Sequence, residues 1–122
     1  MENLDFRKRD KALYSGRRGR WDRITVPPIP YIAISGQGDP DQPEFARSVA
    51  ALYPLAYGIR ALCKARGATF TVPPLAALWS ADNPAAFTTD NNRAAWRWTA
   101  MLRLPEGIDT QMLEAVRANA LK

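Results

Sequence analysis

The sequence predicts an α+β domain: an antiparallel sheet with one long helix in β-α-β-β order, plus a short C-terminal helix. Three observations carry this prediction. A stripe of apolar residues at helical spacing runs through the middle of the chain, a β-branched run precedes it, and two segments of alternating apolar residues follow it. At 122 residues the chain fits the usual single-domain range of roughly 50 to 250 residues, and 47% hydrophobic content suffices for a core.

Residues 1 to 23 come first, a basic N-terminal arm in front of the domain body at 24 to 122. The arm holds eight Lys/Arg against four Asp/Glu, whereas the rest of the chain holds nine against eight. It lacks sustained periodicity, although Leu13 and Tyr14 offer an anchor before the Ser15-Gly16 turn signal. Residues 24 to 35 are rich in Ile, Val and Tyr, but Pro27, Pro28 and Pro30 remove ladder donors, so the strand is expected over 31 to 35. Gly36-Gln37-Gly38-Asp39-Pro40 then reads as a turn. It lacks the third glycine of a dinucleotide fingerprint and the Lys-Ser/Thr of a P-loop, which argues against a phosphate cradle.

The long helix is expected over about 43 to 66. Asp41 and Glu44 have capping-box spacing, which explains these acids better than a cation site, and Gly67 is a natural stop. Phe45, Val49, Leu52, Ala56, Ile59 and Cys63 recur at spacings of four and three and form one buried stripe. Pro54 removes a donor inside the helix and is expected to kink it near Tyr53 and Tyr57. Two strands follow as a hairpin, near 69 to 80, broken by Pro73-Pro74, and near 95 to 104. Alternation places Leu75, Ala77 and Trp79 on one face of the first, and Trp96, Trp98, Ala100 and Leu102 on one face of the second. A short helix over about 108 to 120 closes the chain.

Residue inventory narrows the chemistry. Cys63 is the single cysteine and histidine is absent, which excludes an internal disulfide, a Cys/His zinc site, a Ser-His-Asp triad and a Cys-His dyad. Cys63 on the buried stripe is expected to be inert packing. The N-terminus has no apolar run of signal-peptide type and no stretch approaches a membrane span, so the cytoplasm is the expected location, with no membrane partner. Arg17, Arg18, Arg20 and Arg23 beside Trp21 have the character of a phosphate-contacting edge, but no helix-turn-helix, RNP or zinc-finger pattern accompanies them. A solvated basic edge is the favoured reading, and nucleic acid is not the expected partner.

Several local runs together resemble the GyrI-like small-molecule-binding domain family. These are Tyr31 to Pro40 (YIAISGQGDP), Ala51 to Tyr57 (ALYPLAY), Pro73 to Trp79 (PPLAALW), Trp96 to Thr99 (WRWT), and the lead-in of Leu13-Tyr14 followed by Trp21 to Pro27. The similarity spans about residues 5 to 120 and covers one repeat of a domain that in the family usually has two, related by a pseudo-two-fold axis with the ligand cleft between them. The resemblance implies a lipophilic, aromatic small-molecule ligand and no cofactor. It also implies that a single repeat completes its cleft as a homodimer. Tyr53, Tyr57, Trp79, Trp96 and Trp98 are the expected ligand-binding residues, and no catalytic or metal-ligating residue is assigned. Ala76 stands where similar sequences carry an acid, which weakens both the binding of lipophilic cations and the second function the resemblance suggests, hydrolysis of small strained or electrophilic compounds. A third, inhibition of a topoisomerase by protein contact, finds little support in the residues.

Overall fold

A computed structural model describes residues 2 to 16 and 18 to 120; Arg17 of the basic cluster lies outside the described residues. The elements in chain order are β1 (Glu2–Leu4), α1 (Phe6–Arg9), α2 (Lys11–Tyr14), β2 (Tyr31–Gln37), α3 (Pro43–Ala65), β3 (Ala68–Phe70), β4 (Ala76–Ser80), β5 (Arg97–Arg103) and α4 (Thr110–Ala120). Short 3-10 turns at Pro84–Phe87 and Arg93–Ala95 lie between β4 and β5. This is the expected α+β class, with an antiparallel sheet under one long helix.

The main sheet has the order β2-β5-β4, so β5 is central and β2 and β4 are its free edges. Ile32 pairs with Leu102, Ile34 with Ala100 and Gly36 with Trp98 on one side of β5, while Ala77 pairs with Ala100 and Trp79 with Trp98 on the other. Residues paired in register point to one face. That face therefore carries Ile32, Ile34, Ala77, Ala100 and Leu102, and it packs under Leu52, Ala56 and Ile59 of α3 in the core. Gly36 has a steric reason to be glycine: a Cβ there would lie 2.4 Å from two carbons of the Trp98 indole.

The opposite face carries Tyr31, Ala33 and Ser35 from β2, Leu78 from β4, and Thr99 and Met101 from β5. Ser35 and Thr99 share a 2.8 Å hydroxyl hydrogen bond at its centre, and Leu78 is 62% exposed. Among the described residues no element covers this face over Ala33, Ser35 and Leu78, all of which are exposed.

Several expectations are revised in detail. The segment over 69 to 80 is two strands: Pro73 and Pro74, lacking N–H groups, separate β3 from β4. β3 pairs in parallel with β1, forming a second small sheet. The front of the basic segment thus joins the packed structure, and Phe6 is 1% exposed against Phe70, with ring centroids 6.2 Å apart. Arg103, buried at the end of β5, clamps this segment. Its Nη2 donates to Asp10 Oδ2 at 2.6 Å, its Nη1 donates to the Tyr14 hydroxyl at 3.2 Å, and its guanidinium lies 4.3 Å from the Phe6 ring centroid.

The N-cap of α3 is Gln42 with Pro43 in the first turn, rather than Asp41. Asp39 Oδ1 accepts from the Asp41 backbone N–H at 2.9 Å, making an Asx turn, and Asp41 is instead bonded to Arg93. Glu44 remains in the first turn, where a negative charge suits the helix dipole. α3 continues as one helix through Pro54 and ends before Gly67, whose φ of +94° suits a residue without Cβ. Asp109 starts α4 by accepting the Met112 N–H at 2.8 Å. Among the described residues no helix is long and apolar enough to cross a membrane.

Candidate functional site

An aromatic cluster forms at the end of the main sheet where α3 begins. Trp98, on the central strand, is held under Phe45 in the first turn of α3; their ring centroids are 5.1 Å apart and nearly perpendicular. Phe45 also meets Trp79 of edge strand β4 at 5.4 Å, Trp79 meets Trp96 edge-on at 5.9 Å, and Trp96 stacks obliquely on Phe87 at 5.0 Å. Such offset and perpendicular contacts are the geometries that ring quadrupoles favour.

The polar edge of Trp96 is satisfied from the loop between β4 and β5. Trp96 Nε1 donates to the Ala86 carbonyl at 3.0 Å, and the Arg93 guanidinium lies 5.2 Å from the Trp96 ring centroid. Arg93 also pairs with Asp39, at 3.4 Å, and with Asp41, so the turn after β2 and the second 3-10 turn are joined across the cluster.

Between these two joined segments opens a depression of about 530 Å³ whose apolar wall is Phe45 and Trp98 and whose polar rim includes Asp39, Gln42, Glu44 and Arg93. A few polar groups around a rigid apolar wall is the usual composition of a small-molecule site. Glu44 makes no ion pair among the described residues. The Asp39 carboxylate is already engaged by Arg93 and by the Asp41 N–H.

The structure brings together three of the five residues expected from the sequence. Trp98 is 2% exposed and lines the depression, Trp96 is half-buried in contact with Trp79, and Trp79 is 42% exposed at the sheet edge. Tyr53 and Tyr57 lie elsewhere. They follow Phe45 by eight and twelve positions on α3, so the rise of about 1.5 Å per residue puts them about 12 and 18 Å farther along the helix. Tyr53 packs against the core and Tyr57 faces solvent. The tryptophans also sit on the helix side of the sheet, not on its uncovered face, because Trp79 is in register with Trp98.

Phe45, Phe87, Arg93 and Glu44 belong to the site without having been assigned to it from the sequence. Phe45 appeared there as one more residue of the buried stripe, and Glu44 as part of a cap. Phe87 and Arg93 fall in a turn-rich loop with no periodic signal, so only the folded loop brings them to Trp96.

No family model matches the chain, and no curated protein matches it. Solved structures do. The chain is similar to an uncharacterized conserved protein from Listeria innocua at 32% identity and a TM-score of 0.86, covering 96% of this chain and 58% of that one. It is similar to a hydrolase from Listeria innocua at 33% identity and a TM-score of 0.80, with the same coverage. A further hydrolase structure from that organism matches at 33% identity and a TM-score of 0.83, covering 98% of this chain and 58% of that one. The chain thus spans 58% of the length of the solved structures it matches.

Proposed function

We propose that the chain is a GyrI-like small-molecule-binding module that holds a flat lipophilic ligand against its aromatic cluster, in a cleft completed by a second copy. The observation that carries this reading is the wall of Phe45 and Trp98 beside an open depression of about 530 Å³, with half-exposed Trp79 in ring contact with Phe45. Rigid rings already packed against one another lose little freedom when a guest stacks on them.

The second copy is supported by the sheet itself. Strand β4 is a free edge with Trp79 toward the cluster and Leu78, 62% exposed, toward the uncovered face. A protomer meeting this edge about a two-fold axis satisfies the unpaired strand and shelters both side chains. Size-exclusion chromatography with light scattering at micromolar concentration is expected to give a dimer. Tryptophan fluorescence is expected to be quenched by neutral or weakly cationic lipophilic dyes, with affinity reduced at least tenfold by Phe45→Ala, which removes a ring that lines the depression. A monomer at all concentrations that no dye quenches would refute the reading.

A second reading is hydrolysis of small electrophilic compounds. It is favoured by the two similar structures described as hydrolases and by Glu44, a carboxylate on the rim of the depression. In this reading Glu44 takes a proton from a water whose oxygen attacks the bound electrophile, and the proton passes to the leaving atom as the ester or ring bond breaks, which returns Glu44 to its carboxylate form. Turnover of ester or strained-ring substrates that Glu44→Gln lowers at least a hundredfold supports it; dye binding without turnover leaves the binding reading alone.

A further inference from the structure

From a different part of the molecule we infer a single-stranded nucleic-acid contact surface on α1, α2 and the segment after them. The segment 18 to 30 contains no helix or strand, and Trp21 within it is fully exposed on both ring faces. One depression, of about 770 Å³, takes Arg20 and Arg23 from this segment together with Lys11 of α2; it adjoins a second, of about 480 Å³, lined by Arg7, Lys8 and Lys11, and both reach Ser15.

Three acids of this region already have hydrogen-bond partners. Asp5 accepts the Arg7 backbone N–H, Asp10 is held by Arg9 and Arg103, and Asp22 pairs with Arg20 at 2.6 Å. Among the described residues Arg7, Lys8, Lys11, Arg18 and Arg23 make no ion pair. Four of these, Arg7, Lys8, Lys11 and Arg23, line the two connected depressions, and with the uncovered indole of the same segment they combine the two elements of sequence-tolerant strand binding: charge for successive phosphates and a face for a base. Nothing in the region has the geometry to read base edges, so no sequence preference is expected.

An anionic lipid surface is the lesser fit. Interfacial binding uses an amphipathic helix with an apolar face, whereas α1 and α2 have four residues each and the segment with Trp21 is non-helical.

The test is fluorescence anisotropy of the full chain with a labelled 15-nucleotide oligothymidine across a salt series. Four phosphate contacts predict a slope of log K against log salt of about −2.8, from about −0.7 per contact for single strands. The double variant Lys11→Ala/Arg23→Ala is expected to shorten it to about −1.4. Trp21→Ala is expected to weaken binding about five- to 150-fold at one salt concentration with the slope unchanged, and Trp21→Phe to restore most of that loss. Because Trp21 touches no core residue, its variants keep the fold, which unchanged urea unfolding verifies. The inference is overturned by absence of binding, by binding that Trp21→Ala leaves unchanged, or by equal affinity for phosphatidylserine vesicles or dextran sulfate.

Discussion

Replacing Gly36 by alanine tests the packing on which the aromatic cluster rests. The added Cβ would lie 2.4 Å from Cη2 and Cζ2 of Trp98 and 3.1 Å from Cε2, whereas carbons at rest sit about 3.5 to 4.0 Å apart. The indole has little room to retreat, being 2% exposed and edge-on to Phe45 at 5.1 Å. Overpacking of this kind costs about 1 to 3 kcal/mol. The smaller entropy of an unfolded alanine returns about 0.4 to 1 kcal/mol. The net expectation is a loss of about 1 to 2 kcal/mol, which at a urea m-value of roughly 1.5 kcal/mol/M lowers the midpoint by about 1 M. Near-ultraviolet circular dichroism should change with it, because the indole must tilt. Trp98→Phe removes part of the ring the new methyl strikes, so the double variant should be less destabilised than the sum of the two singles by about 1 kcal/mol. A Gly36→Ala protein as stable as the parent, or a double variant with purely additive effects, would refute the argument that Gly36 is glycine to seat Trp98.

Two further outcomes concern the N-terminal clamp. Hydrogen bonds from Arg9 and Arg103 hold the Asp10 carboxyl below its ordinary range. Its contribution is therefore fully present above the unfolded carboxyl value of about 4 and is lost as pH falls through the lower folded value; Asp10→Asn should flatten the dependence of urea midpoint on pH below about 4. Phe6→Ala empties a site that is 1% exposed, and chemical denaturation should show a loss of about 3 to 5 kcal/mol, where a solvated arm would show almost none.

The long helix was legible because its stripe repeats six times and Gly67 marks its end; the observed helix ends one residue before the expected limit. Strands β2 and β5 were legible from β-branched or aromatic alternation. The small sheet was not, since three-residue strands leave no periodic signal and their pairing joins Glu2 to Ala68 across more than half of the chain. Phe6 was hidden for a related reason: its neighbours in sequence are charged, and its burial depends on Phe70 and Arg103. In the site, strand alternation brought Trp79 and Trp98 to one face, but nothing in a linear pattern measures how far along a helix a ring lies from a sheet end. That distance is what separates Tyr53 and Tyr57 from the cluster.

The parallel pairing of β1 with β3 has a consequence for how the protein is made. A strand at the front of the chain that waits for residues 68 to 70 must close a long loop before it gains a hydrogen bond. During synthesis the first residues therefore leave the ribosome with Phe6 bare until β3 and β5 have followed, an interval in which a greasy ring invites association with other nascent chains. The Thr71 amide, which donates to the Leu4 carbonyl, should be among the last to gain protection in pulse-labelled refolding.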